Sequence, residues 1–206
     1  MEVVLGAHCV HSTEYGSGPA KGVPGVMPAL HKKFPGQYVA GHLLNDNMGG
    51  SGKVAKNLTP LTQTANKNHA KQVEGPIKDA LEVAARRFRD NPTDTHHYAI
   101  KYSVNLLDGK MSQMDVANPG AAPDLDLDMV PRGITCSAWA YKVPKAGGDP
   151  VPVSLSDRQK FPFKDFEDRE ILNTFTPKKP TAAKKRRRDD DEEPAAKAPV
   201  KKAKGK

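Results

Sequence analysis

The 206-residue chain is poor in cysteine, poor in aromatic residues and without a long apolar run. Two cysteines, Cys9 and Cys136, are too few for a disulfide-held scaffold and point to a reduced, cytosolic-type environment. No stretch approaches the roughly 18–20 apolar residues that a spanning helix needs, so no membrane span is expected. The opening, MEVVLGAHCVHSTEYGSGP, has neither a basic start nor a long apolar centre and does not read as a cleaved secretory signal. No aromatic residue occurs from Pro177 to Lys206, a segment of Lys, Arg, Ala, Pro and Asp/Glu. Such a composition cannot bury enough apolar surface to fold alone, and it predicts a disordered tail over 177–206.

Charge is present, but unevenly. Of 32 Lys+Arg and 24 Asp+Glu, the tail holds 12 and 5, leaving 20 and 19 in residues 1–176. The basic balance therefore belongs to the tail, with its run Lys184, Lys185, Arg186, Arg187 and Arg188 followed by Asp189 to Glu193. Such a run suits salt-sensitive tethering to a phosphate backbone, or, with Lys178-Lys179, a two-part signal for a nuclear-import receptor. A merely solubilising tail is the plainer alternative. Residues 1–176 are long enough for one domain with a core of its own.

Within that body, Met1 to His8, with β-prone Val3, Val4 and Leu5, reads as a short strand and Ser12 to Gly36 as Gly/Pro-rich loop. Gln37–Leu44 is a second strand, Asn45–Lys56 a turn-prone segment and Asn57–Leu61 a short extended piece. Ile77, Leu81, Ala84 and Phe88 recur at helical spacing, which predicts a helix over Thr64–Arg89 with an interruption near Gly75-Pro76. Alternation predicts strands over His97–Leu107 and Ile134–Val143, and Phe161, Phe163, Phe166 and Leu172 predict a last helix or loop docked on the core. The fold class is α+β with a central antiparallel sheet.

Several polar clusters are unpromising. His8, Cys9 and His11 could begin a zinc site but lack a fourth ligand. Asp124, Asp126 and Asp128 lack the glycine and terminal glutamate of a calcium loop. His96 and His97 are neighbours on a strand and point to opposite faces, and His69 and Asn68 read as helical core or surface.

The segment Tyr38–Glu74 carries more: a strand ending in His42, a polar glycine-rich loop, a short strand, then a helix presenting Asn66 and, eight residues later, Glu74. In an α-helix that separation leaves the two about 80° apart, two turns along. A neutral imidazole can deprotonate a water, and a hard cation held by few protein oxygens can offset charge on a phosphate. These are the requirements of phosphodiester hydrolysis.

In Gly41-His42, Asn57-Leu58-Thr59-Pro60, Asn66 nine residues after Asn57 and Glu74 eight further, the chain resembles the DNA/RNA non-specific endonuclease family of ββα-metal, or His-Me finger, nucleases. The resemblance covers about 37 residues and implies a ββα-metal motif over about 37–89. It implies His42 as the base, Asn66 as ligand of Mg²⁺ (with Mn²⁺ as substitute), Glu74 as holder of metal-bound water and Asn57 as a brace. DNA or RNA would be the substrate. Many members carry Asp-Arg-Gly-His where this chain has Val39-Ala40-Gly41-His42, so the phosphate-holding cation must come from elsewhere: Lys53, Lys56, or Arg86 and its neighbours. Short GH-type variants are similar to nuclease domains of bacterial toxins and effectors, a context that the chain itself does not decide and that a co-encoded inhibitor (immunity) protein would support. The alternative is a non-catalytic nucleic-acid-binding protein whose affinity resides in the tail.

Overall fold

The computed structural model describes residues 1–7, 26–110 and 130–174, all within one compact unit, Met1–Thr176. The strands are β1 (Glu2–Gly6), β2 (Tyr38–His42), β3 (Leu58–Thr62), β4 (His96–Lys110), β5 (Pro131–Pro144), β6 (Val151–Pro152) and β7 (Phe166–Leu172). The helices are α1 (Val26–Lys33), α2 (Gln63–His69) and α3 (Gly75–Asp90). A π turn over Ala70–Glu74 joins α2 to α3 in one 28-residue helix. The expectations for the H-C-x-H cluster, the Asp124–Asp128 alternation and the tail from Pro177, including Lys184–Arg188, lie outside the described residues.

The class is α+β: a five-stranded antiparallel sheet, ordered β1-β4-β5-β6 with β7 also on β5, and the long helix across one face. Alternation along β4 sends Tyr98, Ile100, Tyr102 and Val104 toward the helix, and along β5 it sends Ile134, Cys136, Ala138 and Ala140 the same way. The register sets Ile100 against Ala140 and Tyr102 against Ala138, large beside small, which leaves room for a helix to sit close. The helix fills it with Val73, Ile77, Leu81 and Ala84, fully or almost fully buried. Each buried Ile or Leu of that stripe contributes about 1.5–3 kcal/mol.

Two expectations need correcting. Val26–Lys33 is a helix and not loop, because Val26, Met27 and Leu30 fall on one face and pack with Phe34, Tyr38 and Val130. Pro28 is tolerated there because the first turn of a helix needs no N–H from it. Phe166–Leu172 is a strand and not a docked helix or loop. Its alternation is broken by a bulge against Cys136–Ala138, with Asp168 at φ 46° and its N–H on the Ser137 hydroxyl. Phe166 pairs with Ala138 and Arg169 with Cys136, both helix-facing positions, although a regular strand would turn residues three apart to opposite faces. The bulge thus stacks the Arg169 guanidinium on Phe166, 4.1 Å from the ring centre, and aims it at the helix.

Candidate active site

β2 and β3 form a two-stranded antiparallel hairpin, Tyr38 opposite Thr62 and His42 opposite Leu58, which leads directly into α2. Thr62 caps that helix, its hydroxyl accepting from the Ala65 N–H at 3.1 Å. His42 ends its strand half-buried. Beside it, a Cβ on Gly41 would lie 2.5 Å from Leu61 Cδ1 and 3.2 Å from Asn66 Oδ1. Glycine at this position lets the first turn of the helix approach the strand, and it sets the Asn66 amide oxygen against the residue that precedes His42.

The loop after His42 is folded around Asn57. Buried, its side chain accepts from the Leu44 N–H at 2.8 Å and donates to the carbonyls of Leu44 at 2.9 Å and Ser51 at 3.2 Å, while its own carbonyl takes the Leu43 N–H. Gly50 completes the turn: a Cβ there would lie 1.7 Å from the Leu44 carbonyl oxygen. Asn45, held in this loop, donates from Nδ2 to Glu74 Oε2 at 2.9 Å.

Glu74 is buried, not a solvated helix residue. Burial raises its carboxyl above the usual range; the Asn45 hydrogen bond and the charges of Lys78 and His42 pull it down, and Asp46 pushes it up. His42, Asn45, Asp46 and Lys78 therefore all act on one carboxyl.

The π turn explains how Glu74 comes to share a face with Asn66. Gly75 N–H bonds back five residues to the Ala70 carbonyl. Widening a turn by one residue makes eight residues cover the rotation of about seven, so the offset falls from about 80° to about 20°. Pro76 accounts for the widening, since it has no N–H to give the Gln72 carbonyl four residues back and its ring crowds that oxygen. Arg169 Nη1 donates to the freed Gln72 carbonyl instead. Lys78, one turn beyond Glu74, joins the same stripe.

The structure sets the Asn66 amide oxygen against Gly41, next to His42, places Glu74 within the electrostatic reach of His42, and has Asn57 hold the loop that follows His42. Lys53 and Lys56 are exposed on the β2–β3 loop. Arg86 is not brought to this group: it stands twelve residues past Glu74, about 18 Å along the helix axis. Sequence reasoning passed over Asn45, Lys78 and Tyr102, and it read His69 as helical core or surface without its partners. Asn45 is legible only as a turn residue, and Lys78 could have been found as the residue four after Glu74.

His69 lies inside the helix, 1% exposed, with Nδ1 3.5 Å from Glu74 Oε1. Burial lowers its imidazole to about 4 from the ordinary 6.5. A folded value below the unfolded one gives stability that is present above pH 6.5 and lost as pH falls toward 4. We expect the parent to lose about 2–3 kcal/mol relative to His69→Gln between pH 7 and pH 4, a difference in which the titration of Glu74, common to both, cancels. Denaturant melts of both proteins at four pH values check this; parallel stability curves would refute it.

Comparison with known proteins supplies no relative: no protein-family model, no curated protein and no solved structure matches the chain. Among the described residues no helix is long and apolar enough to cross a membrane, and none of their His, Cys, Asp and Glu side chains form a ligand cluster of three or more. The oxygens of Asn66 and Glu74 are hard donors of the kind that suits a cation keeping most of its own waters.

Proposed function

We propose that the chain is a metal-dependent endonuclease that hydrolyses phosphodiester bonds of DNA or RNA, with the β2–β3 hairpin and α2 forming a ββα-metal motif. The observation that carries this reading is the Asn66 amide oxygen packed against Gly41, beside His42, with Glu74 rotated onto the same helical stripe. Asn66, with Glu74 acting through water, would hold Mg²⁺ or Mn²⁺, which supplies compensation for the charge that grows on the phosphate and the leaving 3′ oxygen.

The chain's own residues do the rest. His42, half-exposed at the end of a strand, takes the proton of the attacking water at an imidazole nitrogen. Asn57 keeps the loop after His42 closed, and with it Asn45 on Glu74 Oε2. Lys78, in the field of Glu74, is a cation close enough to serve the phosphate where the family arginine is replaced by Ala40, with Lys53 and Lys56 on the loop beside it. Groups addressing phosphate read no base edges, so little sequence preference is expected. The Lys184–Arg188 run adds salt-sensitive affinity for the same polymer.

Incubation of the full chain with supercoiled plasmid and with total RNA, in Mg²⁺ and in excess EDTA, tests the reading. Degradation in Mg²⁺ that stops in EDTA is the expected result. Binding without cleavage in both Mg²⁺ and Mn²⁺ would overturn it in favour of a non-catalytic nucleic-acid-binding protein.

A further inference from the structure

Behind the Glu74 carboxyl lies a buried polar chain that the proposed reaction does not use. His69 Nε2 is 3.0 Å from the Tyr102 hydroxyl, and that hydroxyl is 3.1 Å from the carbonyl oxygen of Leu43, the residue after His42. Cys136 Sγ stands 3.6 Å from the same hydroxyl, and burial pushes its thiol up to about 11, so it is neutral. Tyr102 and His69 are each 1% exposed and Cys136 is fully buried, so water does not compete.

Counting protons fixes the direction of each bond. A carbonyl oxygen only accepts, so the single hydroxyl proton of Tyr102 goes to Leu43. The tyrosine oxygen must then accept from His69, which makes Nε2 the protonated ring nitrogen. A neutral imidazole has one N–H, so Nδ1 is bare, and it is Nδ1 that faces Glu74 Oε1. Two acceptors cannot hold one another, so beside a neutral His69 the inner oxygen Oε1 carries the carboxyl proton and donates it to Nδ1, a state that burial of the carboxyl favours, while Oε2 accepts from Asn45. The two oxygens of Glu74 are made unlike by their neighbours.

We propose that Tyr102 and His69 are positioning residues for the hydrolysis: one hydroxyl ties the backbone next to His42 to the ring that decides which oxygen of Glu74 turns inward. The inference rests on the nuclease reading, because it assigns the pair its purpose. It assigns neither residue any contact with substrate. Partners at one remove from a site are typically worth about 10–100-fold in activity or metal affinity.

The test has two arms on the full chain. In the first, ¹⁵N spectra of the histidine rings, assigned with His69→Gln, are expected to show His69 protonated at Nε2 and bare at Nδ1 at neutral pH. The opposite tautomer overturns the proposal whether or not the protein cleaves anything. In the second, cleavage of a labelled oligonucleotide is followed for the parent, Tyr102→Phe, His69→Gln and, as a packing control, Cys136→Ala. Tyr102→Phe removes the shared hydroxyl; His69→Gln keeps an N–H for Tyr102 but lacks the acceptor opposite Glu74. Both are expected to lower kcat about 10–100-fold with KM within about twofold, and Cys136→Ala to keep the parental kcat. An active parent whose His69→Gln variant retains full kcat sinks this inference alone, even if Tyr102→Phe fails to fold. A parent that cleaves nothing overturns both this inference and the nuclease reading.

Discussion

His42→Ala is expected to lower the rate of phosphodiester cleavage by about 10²–10⁴-fold, the span usually lost with a single positioned general base. Affinity for nucleic acid should stay within about twofold, because His42 is asked to act on water and not to hold the polymer. The fold should survive, since the side chain is half-buried at the end of a two-stranded hairpin and removing it opens no core cavity. A change of about 0.5 kcal/mol or less in stability is the expectation for such a position. Plasmid relaxation in Mg²⁺, fluorescence anisotropy with a short duplex and a thermal melt separate the three quantities. If the variant cuts at the parental rate, His42 is not the base. If binding collapses along with the rate, the residue belongs to substrate recognition instead.

The second large effect is on stability. Asn57→Ala deletes two buried hydrogen bonds and one part-buried one at once and leaves the N–H and the carbonyl of Leu44 without their partner. An orphaned buried group costs about 1–3 kcal/mol, so the pair gives about 2–6 kcal/mol, a large part of the ~5–15 kcal/mol that holds a domain together. For a body of this size that corresponds to a Tm lower by roughly 4–24 °C. Asn57→Asp should be no milder: it keeps an acceptor for the Leu44 N–H but loses both donated bonds and directs a buried charge at two carbonyl oxygens. Activity should drop in step, because the loop that Asn57 closes carries Asn45 to Glu74. A Tm for Asn57→Ala within a degree of the parent would show that the loop is held by something else.

The strand-loop-strand-helix order was legible in the sequence to within a few residues: Gln37–Leu44 against the observed Tyr38–His42, and Thr64–Arg89 against a helix from Gln63 to Asp90. Local signals suffice for that, namely β-branched runs, a glycine-rich turn and a 3.6-residue stripe. Gly75-Pro76 announced a disturbance but not its kind; whether a proline kinks, ends or widens a helix depends on what receives the carbonyl it strands, and here that is Arg169, almost a hundred residues away in sequence. The strand carrying Arg169 was itself illegible, since a bulge shifts its alternation by one. The surroundings of Glu74 escaped for a similar reason. Alternation places Tyr102 on the core face of β4, but nothing local says that its hydroxyl meets His69 and Leu43. Helix α1 was hidden by Pro28 and by the glycines before it, which outweighed three apolar residues at helical spacing.

Arg169 is one of two long-range fastenings supplied by the end of the body. Asn173, 2% exposed, accepts the Thr62 N–H and donates to the carbonyl of Pro60, so it grips the second strand of the hairpin just before the helix begins. A chain leaves the ribosome in sequence order at about 5–20 residues per second. His42, Asn57, Asn66 and Glu74 are therefore all synthesised long before either fastening exists. A polypeptide stopped anywhere short of Arg169 would contain every residue assigned to the chemistry and still lack both clamps on the hairpin and the helix turn that hold them. On the nuclease reading, cutting would thus wait for residues 169–173, and a product truncated before Arg169 is expected to be inert.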